Sequence, residues 1–124
     1  MPKTQIKLEY SVNCSPTVLY ERLTTPSGLS EWFADDVITS DGKTFIFKWD
    51  GDSQEATILQ NRDRKMVRFV WVHDKTYFEF RVVKHELTGD VALVVIDFAE
   101  AGEEAEMEEL WNSQIADLKR ILGC

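Results

Sequence analysis

Apolar and polar residues alternate from the start of the chain. Across residues 5–12, Ile6, Leu8, Tyr10 and Val12 share one parity, and Lys7, Glu9 and Ser11 share the other. A period of two predicts a β-strand with one wet face. Ser15-Pro16 then supplies an N-cap and a proline suited to the first helical position. Val18, Leu19 and Leu23 continue at helical spacing until Thr25-Pro26-Ser27-Gly28 breaks the pattern. A second short helix is expected from about Pro26 to Phe33, with Leu29, Trp32 and Phe33 as its buried stripe.

From Val37 to Phe98 the period is two again, interrupted by turns. Ser40-Asp41-Gly42, Asp50-Gly51-Asp52, residues 61–64, Asp74-Lys75 and Thr88-Gly89-Asp90 separate the strands, and Asp-Gly is a strong hairpin signal. Phe45, Phe47 and Trp49 share one face of their strand, Ala56 and Ile58 one face of the next. Val67, Phe69 and Trp71 alternate with Arg68 and Val70, and Phe78, Phe80 and Val82 alternate with Glu79, Arg81 and Val83. Val91–Phe98 is apolar at both parities, so its inward face is open; an apolar outer face suggests a covered edge or a subunit contact. Asp97 faces in only if Leu93 and Val95 do, and the cost of burying an unpaired charge favours placing it on the surface.

The spacing predicts a long helix over Glu103–Leu122. Met107, Leu110, Trp111, Gln114, Ile115, Leu118, Ile121 and Leu122 recur at i, i+3, i+4 and i+7, with Lys119 and Arg120 near the end and Gly123 just beyond it. The expected sheet-facing stripe is Trp111, Gln114, Ile115 and Leu118. The sum is a single α+β domain over residues 1–124: a curved antiparallel sheet of six or seven strands wrapped round a long C-terminal α-helix, with two short helices after the first strand.

Composition narrows the function. The chain has 124 residues, enough to bury a core without metal or disulfide staples. A net charge of -8 argues against a nucleic-acid partner and against adsorption to anionic lipid. Six glutamates (Glu100, Glu103, Glu104, Glu106, Glu108 and Glu109) crowd the expected helix start, where the helix dipole favours carboxylates. Cys14 and Cys124 are expected as reduced thiols. The N-terminus Met1-Pro2-Lys3-Thr4 runs into the first strand with no apolar leader, and no stretch is apolar enough for a membrane helix. A cytoplasmic location without membrane insertion is expected.

Several local patterns carry a family resemblance. "SPTVLYERLTTPSGLSEWFADDV" (residues 15–37), "VRFVWV" (67–72), the strand after Gly89 and "EELWNSQIADLKRIL" (108–122) follow one another in order. Within them stand Pro16, Val18, Leu19, Leu23 and Thr24, then Leu29, Trp32 and Phe33, then Val67, Phe69 and Trp71, and finally Trp111. The chain resembles the START-like helix-grip superfamily, which includes birch-pollen-allergen-like proteins and polyketide cyclases, and looks nearest to activator-of-heat-shock-ninety-ATPase-like proteins. The resemblance implies a helix-grip fold and a small hydrophobic ligand or lipid. A chaperone-activator-like module working through its acidic surface, alone or as a homodimer, and a cyclase-like enzyme are the alternatives it leaves open. Shared core positions imply fold more than function.

No phosphate loop, metal-ligand pair or nucleophile elbow is present. No catalytic residue, metal or cofactor is therefore assigned, and a non-enzymatic role is expected. Ser15 reads as a helix cap, and His73 and His85 as exposed residues at strand ends. Glu79 and Arg81 read as surface pairs of little energetic value. The aromatic face is the main signal. Tyr10, Phe47, Trp49, Phe69, Trp71, Phe78 and Phe80 on the sheet, with Trp111, Gln114, Ile115 and Leu118 on the helix, are the candidate ligand-binding residues. They either fill the core or surround an apolar cavity in which indole, phenol and carboxamide groups supply polar contacts.

Overall fold

Seven strands make one antiparallel sheet in the order β1-β7-β6-β5-β4-β3-β2. The computed structural model describes residues 3–124; the leaderless reading of the N-terminus rests partly on Met1 and Pro2, which lie outside the described residues. The strands are β1 (Lys3–Ser11), β2 (Asp36–Thr39), β3 (Thr44–Trp49), β4 (Asp52–Arg62), β5 (Met66–Trp71), β6 (Tyr77–Lys84) and β7 (Val91–Glu100). The helices are α1 (Pro16–Thr24), α2 (Pro26–Leu29) and α3 (Glu104–Leu122). Strands β2 to β7 form a meander, and β1 returns to pair with β7 in register Leu8↔Val95. The sheet curves round α3, which lies against β1 and β7. This is the expected α+β helix-grip fold.

The short helices start as their residues dictate. Ser15 Oγ accepts from Val18 N at 3.2 Å, and Thr25 Oγ1 accepts from Gly28 N at 3.0 Å. The second helix is shorter than the periodicity predicts. The N–H groups of Trp32, Phe33 and Ala34 all converge on the Leu29 carbonyl, which tightens residues 30–34 into turns. Trp32 Nε1 secures those turns by donating to Arg22 O at 2.9 Å. Val18, expected on the inner face of α1, is exposed; Tyr20 is buried instead, and its hydroxyl reaches Met66 O at 3.1 Å and the Asn61 side chain.

Strand β4 extends through Asn61 and Arg62, which the turn chemistry had placed in the loop. A bulge between Ile58 and Gln60 leaves Leu59 unpaired and exposed. The turn begins at Asp63, with Arg64 at φ 60°.

Strand β7 is apolar on both faces because it lies inside the sheet, between β1 and β6, and not at an edge. Val91, Leu93 and Val95 enter the core. Ala92, Val94 and Ile96 are buried on the opposite face, within the chain itself. In register, Ile96 lies between Lys7 and Glu79, and Val94 between Glu9 and Arg81. Long neighbours of this kind shield short apolar ones with their aliphatic stems. The outer face of β7 is therefore not a free apolar surface, which corrects the subunit-contact reading.

Helix α3 presents a narrower stripe than expected. Trp111, Ile115 and Leu118 are buried, whereas Leu110 and Ile121 are exposed. At 100° per residue, positions 110, 114 and 121 fall along one flank of the stripe. Gly123 ends the helix at φ 76°, a left-handed cap that glycine adopts without strain.

Candidate functional site

Most of the predicted aromatic face is filled core. Phe47, Phe69, Phe78 and Phe80, with Ile115 and Leu118 of α3, are almost completely buried. Phe69 stacks on Phe78 at 4.9 Å between ring centres, and Phe78 meets Phe80 edge-on at 5.6 Å. Such rings leave no room between the sheet and the middle of the helix. Trp71 is half-buried beside Phe78, at 5.0 Å. Tyr10 reaches the surface, where its hydroxyl donates to Asn112 Oδ1 at 2.7 Å.

Space opens at the flank of α3 carrying Leu110 and Gln114. A cavity of about 320 Å³ lies there, lined by Phe33, Trp49, Asp97, Met107, Leu110, Trp111 and Gln114. Three of the eleven sequence-derived candidates, Trp49, Trp111 and Gln114, reach it. Phe33 comes from the turns after α2, Trp49 from the end of β3 and Asp97 from β7. Phe33 holds the assembly together. Its ring stacks at 5.1 Å on Phe78 and at 5.8 Å on Trp111, and its carbonyl accepts from Trp49 Nε1 at 2.9 Å and Gln114 Nε2 at 3.3 Å.

Asp97 faces this cavity, which corrects its surface placement. Leu93 and Val95 point inward and Asp97 shares their parity. Its charge is not left unpartnered: Trp111 Nε1 donates to Oδ2 at 2.9 Å and Phe98 N to Oδ1 at 2.8 Å. Burial nonetheless dominates and raises the Asp97 pKa above the usual carboxylate value, with the two N–H donors pulling the other way.

Three of the polar tips expected to meet a ligand are already engaged within the protein, while Gln114 keeps its second N–H and its Oε1. The indole N–H groups of Trp49 and Trp111 and the amide of Gln114 donate within the protein. Asp97 keeps spare acceptor capacity, since a carboxylate can take about four hydrogen bonds. It is the one titratable side chain among the lining residues. His73 and His85 are exposed and do not line the cavity.

Sequence reasoning missed Phe33, Met107 and Leu110 as cavity residues, and it made Asp97 a candidate only if Leu93 and Val95 faced inward, with the surface preferred. Phe33, Met107 and Leu110 were visible as helical apolar positions, which by themselves signal core. Asp97 was hidden by the doubly apolar strand that carries it.

A curved antiparallel sheet gripping a C-terminal helix, with an apolar cavity beside that helix, defines a helix-grip protein. The whole chain, residues 1–124, matches the family model of the START-like superfamily domain, and the protein belongs to that superfamily. It is similar to BfR322 from Bacteroides fragilis, solved by NMR, at 39% identity and TM-score 0.70 over 98% of this chain and 93% of that one. It shares its fold with the Aha1 dimer from Colwellia psychrerythraea, at 19% identity and TM-score 0.80 over 94% of this chain and 93% of that one. DynU16, a protein in the dynemicin biosynthetic locus, also has this fold, at 19% identity and TM-score 0.80 over 98% of this chain but 48% of that one. None of the curated proteins matches the chain.

Proposed function

We propose that residues 1–124 act as one START-like domain that binds a small, mostly apolar molecule carrying a hydrogen-bond donor. The cavity beside α3 carries this reading: about 320 Å³, walled by Phe33, Trp49, Met107, Leu110 and Trp111, with Asp97 as its acceptor. Its volume falls at the lower end of the range for ligand pockets, and an apolar wall with few polar groups is their usual composition. The ligand's apolar body lies on the rings, and its donor meets the Asp97 carboxyl. Asp97 is the one titratable group among the lining residues, so the pair of converging acid–base groups that a cyclase-like or hydrolase-like reading calls for is not assembled there, and this supports binding. A cytoplasmic location belongs to the same reading and is supported by two free thiols, Cys14 and Cys124.

Titration with an apolar fluorescent probe, following the quenching of Trp49 and Trp111, tests the proposal. Saturable one-to-one binding is expected. A linear, non-saturating response would sink it.

A second reading has support from one neighbour, the Colwellia protein, which was solved as a dimer. This chain would associate with a second copy or a protein partner, using the exposed glutamates Glu103, Glu106, Glu108 and Glu109. Sedimentation at rising concentration tests self-association, and a mass that stays at 14.3 kDa removes that form of it.

A further inference from the structure

The opposite face of the sheet carries a concentration of positive charge that a chain of net charge -8 does not lead one to expect. A groove of about 360 Å³ lies where β6 runs past the end of the β4–β5 hairpin. Four cations line it, Arg62, Lys65, Arg68 and Arg81, with Glu79 as their one carboxylate. Glu79 has no exposed surface, which corrects its reading as half of a surface pair. Its Oε1 accepts from Arg68 Nε at 2.6 Å, and its Oε2 accepts from Arg81 Nε.

This arrangement leaves both guanidinium forks oriented and available. Each arginine spends its Nε on Glu79, and no hydrogen bond among the described residues uses the Nη atoms of either. Arg68 is further fixed by Tyr77, whose ring centre lies 4.0 Å from the guanidinium carbon. Arg62 and Lys65 form no ion pair among the described residues. One buried carboxylate neutralises one charge, and three positive charges remain around one concavity. Guanidinium groups with free Nη edges bind tetrahedral oxyanions in two-point fashion, and fixing them beforehand lowers the entropy lost on binding.

We infer that this groove is a binding site for the phosphate group of a small phosphate monoester. Arg68 and Arg81 hold the phosphoryl oxygens, Arg62 and Lys65 neutralise the remaining charge, and the ester's organic part lies along Met66 and Val83. The groove is larger than a free phosphate ion requires, which favours the ester.

The test is a titration of the uniformly labelled protein with inorganic phosphate and with phenyl phosphate, at constant ionic strength in 150 mM (about physiological) chloride. Arginine side-chain and backbone nitrogen signals report the outcome. Saturable shifts at Arg68 and Arg81 are expected, with phenyl phosphate binding more tightly than phosphate. The exposed pair Arg62→Gln and Lys65→Gln, changed together, should weaken binding by about tenfold or more. Arg81→Lys keeps the charge but removes the fork, and should weaken it by roughly tenfold. Leu110→Trp, on the other face, should leave it unchanged. Shifts that fail to saturate, that chloride reproduces, or that survive the double substitution overturn the inference. So does equal affinity of Arg81→Lys, or phenyl phosphate signals confined to the cavity beside α3.

Discussion

Trp111 Nε1 donates a 2.9 Å hydrogen bond to Asp97 Oδ2, tying the long helix to the last strand at the wall of the apolar cavity. This contact reconciles a carboxylate with an apolar site. It also makes Asp97 a reporter of pH. Burial raises its pKa in the folded state, so between the unfolded and folded values the native protein holds more protons than the unfolded chain. Stability therefore falls as pH rises through that window, and the full cost is present above it. Asp97→Asn keeps an oxygen for Trp111 and removes the charge. With one oxygen in place of two it gives up an acceptor at every pH, but its stability relative to the parent should shift in its favour as pH rises from acid to pH 7. Urea unfolding across that range measures the difference; a difference that does not shift with pH contradicts the assignment.

Leu110 offers a way to close the cavity without disturbing the core. It is exposed on the flank of α3, yet it lines the opening. Leu110→Trp should change stability by less than about 0.5 kcal/mol, as surface substitutions usually do. It should weaken binding of an apolar probe by about tenfold or more. Unaltered probe affinity would place the bound molecule elsewhere.

On the other face, Glu79 balances two guanidinium groups with no exposure of its own. Glu79→Ala leaves Arg68 and Arg81 facing each other without a counter-charge. A loss of about 1–3 kcal/mol is expected, less than for a fully buried pair, because the two guanidinium groups left behind are partly solvated. A midpoint in urea within error of the parent would show that Glu79 is solvated in solution.

Gly28 makes the junction of α1 and α2 possible. A Cβ at this position would lie 2.7 Å from Glu21 O and 2.8 Å from Arg22 Cα, both backbone atoms. Gly28→Ala must push the two helices apart and should cost about 1–3 kcal/mol. Because Phe33 follows on the same turns, the substitution should also weaken probe binding. Thermal unfolding and the probe titration, run together, check both consequences.

Cys14 is held in its thiol form. Burial, reinforced by the neighbouring Cys124, pushes its pKa up to about 12. At pH 8 its alkylation by iodoacetamide should be slower than that of a free thiol by roughly a hundredfold or more, because the thiolate is the reactive species. Cys124→Ser should recover part of that rate, with burial retaining the rest. Mass spectrometry of timed samples resolves the two sites, and Cys14 modification at the rate of a free thiol would refute the shift.

Much of the fold was legible along the chain. The alternation in β1, β3, β5 and β6 located strands and chose their inner faces, since in each one parity is mostly apolar and the other carries at least one charged residue. The periodicity around Trp111, Ile115 and Leu118 located α3, and Gly123 marked its end. The family resemblance followed because these positions are core positions, and core positions carry the fold.

Sequence alone determined most of which segments become strands and helices, because those periods are properties of one element at a time; residues 30–34 and 61–62 are the exceptions. Tertiary structure alone decided what depends on a second element. In β7 both parities are apolar, so only pairing with β1 on one side and β6 on the other, together with the crossing of α3, could turn Leu93, Val95 and Asp97 inward. Glu79 is polar in a polar row, and its burial follows from arginines on two strands closing over it. Phe33 looked like one more core ring until its carbonyl gathered Trp49 and Gln114. A cavity and a charged groove are spaces between elements, and a one-dimensional pattern carries the walls without the distances that separate them.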